Sequence, residues 1–182
     1  MKTYFKSISL LLILFSMVLM TTYAQDSQDA IFSKVDNTKM YKTIELAQMD
    51  RNLSTFVNLV MLSGLDTSME FTDEHTLFIP TNQAFYNLSI EEFANLTNPK
   101  NRIDLMKFIQ YHILPKKHMT SEFEENSIIT TNENEEIAVN AANDLISIGG
   151  AQVVKSNIEA SNGIIHIVDA VIKPAKVNLA GE

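Results

Sequence analysis

The sequence predicts one domain of the α+β class, with helices in its first part and an antiparallel sheet in its second. Apolar positions at helical spacing occur only before residue 118, and short β-prone segments separated by turn residues follow. Gly149-Gly150 and Asn162-Gly163 are typical of two-residue hairpin turns between such segments. Helices followed by strands favour α+β over an alternating α/β fold, and the 182 residues contain no internal repeat.

Residues 1–24 are predicted to be a cleavable signal peptide. Lys2 and Lys6 form a short basic region, residues 8–20 are apolar apart from two serines, and Ala24 completes a small-residue cleavage site. This apolar stretch of about 13 residues is shorter than the roughly 20 that a membrane-spanning helix needs, so a retained membrane anchor is the weaker alternative. We therefore expect a secreted protein, periplasmic or extracellular, with no membrane span after cleavage.

The composition restricts the classes of partner. The chain has no cysteine, so an exported form must fold without disulfides. Its formal charge is −8, and loss of both signal-peptide lysines leaves 12 basic residues against 22 acidic ones. Nucleic acids and anionic membranes reward clustered Lys and Arg, so neither is expected to be a partner.

The folded domain is expected to cover residues 41–175. Residues 25–40 are polar, without a helical or strand period, and predict a flexible lead. Residues 176–182 are left as a C-terminal tail. A domain of this length is large enough to bury its own core.

The most regular helical pattern begins at Leu53. Apolar residues recur at one helix face, at Leu53, Phe56, Val57, Val60 and Met61. Asn52 is placed to cap this helix, and Gly64 is placed to end it.

A strand and a short helix are expected next. Residues 76–79 are β-prone, and Pro80 should stop the strand that they form. Ser89 and Glu92 have the spacing of a capping box, which predicts a short helix through Phe93.

A longer helix is expected to open at Asn98-Pro99 and to run toward Tyr111, where Pro115 should end it. Its apolar stripe also carries His112. The apolar members of that stripe are Leu105, Phe108, Ile109 and Ile113.

The second part of the chain predicts an antiparallel meander. Five segments combine β-prone residues with flanking turn signals. They are residues 127–130, 136–140, 145–148, 151–158 and 164–172.

The sequence carries no constellation that a known enzyme chemistry requires. There is no G-x-S-x-G elbow, no phosphate-binding glycine loop and no thiol. The four histidines lie at positions 75, 112, 118 and 166, and no two have the spacing of a helical zinc pair. Acidic clusters at 122–125 and 133–136 lack a calcium-loop pattern and are interpreted as solvated turns. We therefore expect no catalysis, no metal and no cofactor.

Two polar residues interrupt apolar runs and have competing interpretations. Asp169 lies in the strand predicted at 164–172, where it is more often a buried or half-buried hydrogen-bond partner than a tuned acid or ligand contact. His112 on its apolar stripe is more often a core histidine than a catalyst. A dyad of these two residues stays open, although no nucleophile is marked beside it.

Three separated motifs resemble the signatures of the fasciclin (FAS1) domain family. They are Thr-Leu-Phe-Ile-Pro-Thr-Asn-Gln-Ala-Phe at 76–85, Tyr-His-Ile-Leu-Pro at 111–115 and Asn-Gly-Ile-Ile-His-Ile-Val-Asp-Ala-Val-Ile-Lys-Pro at 162–174. All three occur in the family's order, which makes the resemblance specific. It implies a wedge built from an antiparallel β-sandwich, with helices packed on one edge.

The resemblance also implies a function. It implies adhesion to, or recruitment of, protein or polysaccharide partners at a cell surface or matrix, without family-wide catalysis. In animal members the Tyr-His region is linked to partner binding, which makes Tyr111, His112, Ile113 and Leu114 candidate contacts. The short signal peptide suggests a bacterial member.

Three hypotheses follow for the polar residues and the function. In the first, Thr81, Asn82, His112 and Asp169 form a structural network that locks the three motifs of an interaction module together. In the second, His112 and Asp169 serve a small-ligand or hydrolytic site. In the third, the chain is a matrix protein that self-associates through an uncovered sheet edge.

Overall fold

A computed structural model of the chain describes Phe32 and residues 35–131, 136–142 and 145–173, except for the side chain of Glu70. The chain divides into two compact units, Met1–Asp36 and Asn37–Glu182, and all elements given below belong to the second. The predicted signal peptide, much of the predicted lead and the predicted tail lie outside the described residues.

The described residues contain five α-helices. They are α1 (Thr43–Met49), α2 (Ser54–Ser63), α3 (Met69–Thr72), α4 (Ile90–Thr97) and α5 (Arg102–Gln110). The short turns of 3₁₀ type are Thr38–Met40, Arg51–Leu53, Asn82–Asn87, Pro99–Asn101 and Thr120–Glu122. Thr38–Met40 was predicted to be part of a flexible lead, but the Asn37 side chain caps it by accepting from the Lys39 N–H.

Two local helix signals work as predicted. Ser89 Oγ accepts from the Glu92 N–H, and Glu92 accepts in return from the Ser89 N–H, so the capping box of α4 is complete. Gly64 ends α2 with φ +74, the left-handed conformation that glycine adopts without strain. Both signals are encoded within a few residues of the helix end, which is why sequence alone finds them.

The predicted cap of α2 is wrong. Asn52 lies inside the 3₁₀ turn Arg51–Leu53, where its own N–H donates to Asp50 Oδ1 at 2.9 Å. The free N–H at the start of α2 is instead satisfied by Asn82, whose Oδ1 accepts from the Thr55 N–H at 2.9 Å. This cap comes from 27 residues further along the chain, so no local pattern reveals it.

The apolar stripe of α2 is largely confirmed. Phe56, Val57 and Val60 are buried, as is Leu53 before the helix. Met61 is 40% exposed, contrary to the prediction, and Leu59 is buried in its place. Because α2 packs against other helices, its buried face is shifted from the predicted stripe, so that it includes Leu59 and leaves Met61 at the surface.

The long helix ends earlier than predicted. It stops at Gln110, and Ile113–Pro115 forms a short strand, so Pro115 does not terminate the helix. Ile113 of this strand pairs with Leu77 of the strand His75–Pro80. Pairing with a distant strand therefore overrides the helical period that continues through the sequence.

In the described part of the chain, seven strands form one mixed sheet in the order β2-β1-β7-β6-β5-β4-β3. Two of them have the predicted bounds, three extend further than predicted, one was not predicted as a strand, and the last runs from Gly163 to Val168 instead of over 164–172. Their bounds are β1 (His75–Pro80), β2 (Ile113–Pro115), β3 (Ser127–Thr130), β4 (Glu136–Ala142), β5 (Leu145–Ile148), β6 (Ala151–Glu159) and β7 (Gly163–Val168).

The α+β class is confirmed, and the sheet encloses a core in the manner of a sandwich. Phe78 of β1 and Leu114 of β2 share one buried cluster with Ile137 of β4 and Ile148 of β5. These strands lie toward opposite ends of the sheet order, so the sheet curls over its own inner face. The meander β3–β7 is antiparallel as predicted, but β1 runs parallel to β7.

Both predicted hairpins are present, but only one for the predicted reason. Gly149 and Gly150 have φ +58 and φ +83. At the other hairpin neither Asn162 nor Gly163 is among the described residues with positive φ. Asn162 Oδ1 accepts from the Thr43 N–H at 2.9 Å, and a Cβ on Gly163 would lie 2.4 Å from a backbone oxygen of β1.

Candidate functional site

The three motifs meet at His112, which lies two residues after the end of α5 and is fully buried. Its Nδ1 lies 2.8 Å from the Phe108 carbonyl oxygen, and its Nε2 accepts from the Ile172 N–H at 3.1 Å. Its own carbonyl oxygen accepts from the Phe78 N–H at 2.9 Å. One residue thus joins the central motif to the first and the last, and β1 pairs with both β2 and β7 beside it.

His112 is held as a neutral imidazole. Ile172 N–H can donate only to an unprotonated Nε2, so the ring proton is on Nδ1 and points to the Phe108 oxygen. Burial lowers the pKa of His112 to about 4, because the charged ring would lose its hydration. The ring centroid lies 5.2 Å from that of Phe56 and 4.8 Å from that of Phe108. These hydrogen bonds and ring contacts fit a structural role for the His112 side chain.

His75, at the start of β1, is held in the same way. Its Nδ1 lies 2.9 Å from the Asp73 carbonyl oxygen, and its Nε2 lies 2.8 Å from Thr43 Oγ1. Since Nδ1 must donate to the carbonyl, Nε2 accepts from the Thr43 hydroxyl. Burial lowers the pKa of His75, and the bond to Asp73 only partly opposes this. The contact ties α1 to the first strand.

His166, in the centre of β7, is the third buried histidine. Its Nε2 lies 2.9 Å from the His118 carbonyl oxygen, and its Nδ1 accepts from the Asn157 N–H at 3.3 Å. Burial lowers the pKa of His166 as well. Its ring stacks on Phe78 with centroids 5.4 Å apart. Sequence reasoning did not assign His75 or His166 a structural role, although each lies in a β-prone run where a polar side chain needs a partner.

Acid should destabilise the protein through these three rings. The pKa of His112 is about 4 in the folded chain and 6.5 when unfolded, so the unfolded chain binds the proton first as the pH falls. Its contribution is fully present above pH 6.5 and falls by about 1.4 kcal/mol per pH unit, or about 3 kcal/mol by pH 4. Urea unfolding at several pH values between neutrality and pH 5 measures this loss.

Added salt provides a control for the acid effect. Because burial causes the shift, a high concentration of NaCl should leave the pH dependence in place, whereas it would weaken a dependence caused by surface charges. A free energy of unfolding that stays constant from neutrality to pH 5 would contradict the assignment of neutral buried rings.

The four residues of the hypothesised polar network do not form one network. Thr81 Oγ1 accepts from the Ala84 N–H at 3.3 Å and caps the following turn. Asn82 caps α2, as described above. Asp169 is exposed, lies just beyond the end of β7, and its Oδ1 accepts from the Gln152 N–H at 2.8 Å. Thr81 also donates its N–H to the Val168 carbonyl oxygen at 3.0 Å, which joins the first motif to the last. His112 is the one of the four whose hydrogen bonds join the central motif to both of the others.

The candidate contacts in the Tyr-His motif are mostly inaccessible. His112 and Ile113 are fully buried and Leu114 is nearly so, because β2 pairs with β1 and its side chains enter the core. Tyr111 is half-buried. The prediction of these four side chains as a docking surface is therefore wrong for three of them in this conformation.

A site shared by His112 and Asp169 is also absent from the described part of the chain. Asp169 lines a shallow depression of about 470 Å³ with residues of β4, β5 and β6, and His112 is not among the residues that line it. A buried ring and an exposed carboxylate that do not share a cleft cannot exchange a proton through one substrate. Within the described ranges, no three His, Asp or Glu side chains are grouped to hold a metal ion.

Accessible apolar surface lies on the helical side. An open groove of about 470 Å³ runs between the turn Asn82–Asn87 and α4, and its lining carries no charged residue. Tyr86 and Ile90 are 83% and 85% exposed at this groove. No helix in the described part of the chain has both the length and the apolar character required to cross a bilayer.

Comparison with known proteins agrees with the three motifs. The sequence model of the fasciclin domain matches residues 51–174, which include all of them. "Protein sll1483" of Synechocystis sp. is 26% identical over 157 residues, covering 86% of this chain and 87% of that protein. Human periostin is 32% identical over 133 residues, covering 72% of this chain but only 16% of periostin.

A solved structure shares the fold. It is that of a FAS1 domain pair from the insect cell adhesion molecule Fasciclin I, with a TM-score of 0.61 and 16% sequence identity. The match covers 73% of this chain and 51% of that one.

Proposed function

Because the chain belongs to the fasciclin domain family, we propose that it is a secreted interaction module that binds a protein or polysaccharide partner outside the cytoplasm without catalysing a reaction. The observation that carries this proposal is the use of His112 as a neutral, buried connector of the three motifs. The buried histidines, which could have suggested catalysis, instead stabilise the fold through their hydrogen bonds. A binding function would therefore use the exposed surface.

Export is supported by the signal-like pattern of residues 1–24, and a bacterial origin by the relative in Synechocystis sp.. The acidic balance of the sequence favours partners other than nucleic acids and anionic membranes. A partner at the cell surface or in the matrix fits both features.

Binding to native envelope material tests the proposal. The chain without residues 1–24 is coupled to beads, and retention of envelope or matrix fragments is compared with that on beads carrying the same chain unfolded by heat. We expect about tenfold more retention on the folded chain, since specific binding requires the assembled surface. Equal retention on the two kinds of bead would contradict an interaction module.

Pretreatment of the fragments identifies the class of partner. Protease removes a protein partner, and periodate oxidation destroys a polysaccharide partner. Light scattering from the purified chain separates both from self-association, which is the remaining alternative. Assembly of the pure chain together with no envelope retention would favour a matrix protein.

A further inference from the structure

The two edges of the sheet differ in their capacity to accept another strand. β2 has only three residues and ends in Pro115, which has no N–H to donate. β3, at the other end, pairs with β4 on one side and has no strand on its other side within the described chain. An edge strand directs part of its backbone N–H and C=O groups away from the sheet, where an added strand can bind them.

The side chains of β3 do not block this edge. Ser127, Ile128, Ile129 and Thr130 include no charge, no proline and no glycine. Ile129 packs against the core cluster beside its partner Ile137, so the strand is anchored from within. Ile128 points to the other face and is 63% exposed. Edge strands of natural proteins are usually protected by charges, proline or bulges, and the four residues of this strand include neither a charge nor a proline.

The surroundings of this edge are acidic at both ends. Glu124 and Glu125 are exposed just before β3. Glu136 is exposed on β4 directly opposite Thr130, the last residue of β3. The sequence has no Lys or Arg between Lys117 and Lys155, a stretch that contains all of β3, β4 and β5.

We propose that β3 is a docking edge that takes up an extended segment of another protein, with β-branched residues in its centre and Lys or Arg at both ends. This proposal rests on the interaction function proposed above, and it specifies the chemistry of the partner. The segment adds as a further strand beside β3, and its basic ends lie against Glu124 and Glu125 on one side and Glu136 on the other. Backbone pairing supplies affinity and the charges select the partner.

The charge pattern disfavours a second copy of this chain as the occupant. If two β3 strands paired antiparallel, Glu124 and Glu125 of one copy would lie at the same end of the pair as Glu136 of the other, which stands one strand further in. Like charges brought close together in this way repel each other, most strongly at low salt. An occupant with basic ends is therefore the complement of this edge.

A labelled peptide of sequence KKTVTVKK tests the proposal by fluorescence anisotropy with the whole chain at low ionic strength. Two controls are EETVTVEE, which reverses the charges, and KKTPTPKK, which cannot pair as a strand. We expect the first peptide to bind about tenfold more tightly than either control and to weaken as salt is added. Equal binding of all three peptides, or no binding, would overturn the proposal.

Two further measurements locate the binding. Hydrogen–deuterium exchange should slow at residues 127–130 when the peptide is bound, and binding without this protection would place it elsewhere and overturn the assignment. The variant E125K/E136K should bind the peptide about tenfold less tightly, with its melting temperature nearly unchanged. The charge-matched control E91K/D104K, on α4 and α5, should retain binding.

The outcomes separate this proposal from the broader function. Envelope retention that persists in E125K/E136K, together with failure of the peptide to bind, would reject only the docking edge. Loss of envelope retention by the unaltered chain would reject the interaction function itself. A dimer in sedimentation that E125K/E136K abolishes would make a second copy the occupant and overturn the partner chemistry proposed here.

Discussion

Replacement of His112 by alanine is expected to lower the free energy of unfolding by about 3 to 5 kcal/mol. The change leaves a cavity between Phe56 and Phe108, whose rings contact the imidazole. It also leaves the Ile172 N–H and the Phe108 carbonyl oxygen without their present partners in a buried site. Both costs add, because packing and hydrogen bonding are lost at once. Urea denaturation followed by circular dichroism measures the loss.

Two companion variants separate these contributions. His112→Phe keeps a ring of similar size but removes both hydrogen bonds, so its cost should lie below that of H112A and above zero. His118→Ala is the matched control, because this ring is half-exposed and its carbonyl oxygen, which His166 uses, remains. H118A should cost less than about 1 kcal/mol. If H112A cost no more than H118A, His112 would not be the connector of the three motifs.

Gly163→Ala is expected to cost about 3 kcal/mol or more, although it adds a single methyl group. A Cβ at this position would lie 2.4 Å from the His75 carbonyl oxygen and 3.0 Å from Thr43 Cγ2. The oxygen belongs to the backbone of β1, so relief requires the parallel pair β1 and β7 to move apart. Thermal unfolding of the variant, or its failure to appear as folded protein, reports this cost.

Gly150→Ala provides the contrast. Nothing lies within 4 Å of a Cβ at Gly150, but its φ of +83 strains any other residue. The expected cost is about 1 to 2 kcal/mol, from conformation alone. A G163A variant no less stable than G150A would show that β1 and β7 tolerate the extra methyl group and that their close approach is not needed.

The elements of this fold were largely predictable because their signals are local. The capping box at Ser89, the end of α2 at Gly64 and the hairpin at Gly149-Gly150 each depend on residues close in sequence. The parallel pairing of β1 with β7 and the strand Ile113–Pro115 were not predicted from periodicity, since both depend on contacts between distant segments.

The site was less predictable than the fold. The sequence singled out His112 correctly as a core histidine, because its position on an apolar stripe implies burial. It could not show that Asp169 lies beyond the end of its strand, or that Asn82 caps a helix far from it in the chain. A polar residue in an apolar run indicates that a hydrogen-bond partner is needed, but the partner can be identified only from the three-dimensional structure.

The parallel pairing of β1 with β7 affects how the chain can fold. His75 pairs with Gly163, which lies 88 positions further along the chain, so most of the domain must be synthesised before the two strands can meet. Contacts of such long sequence separation form late and slowly. Because this pairing cannot form until almost all of the chain is present, we expect β1 to stay without this native sheet partner while the segment from β1 to β6 is being synthesised.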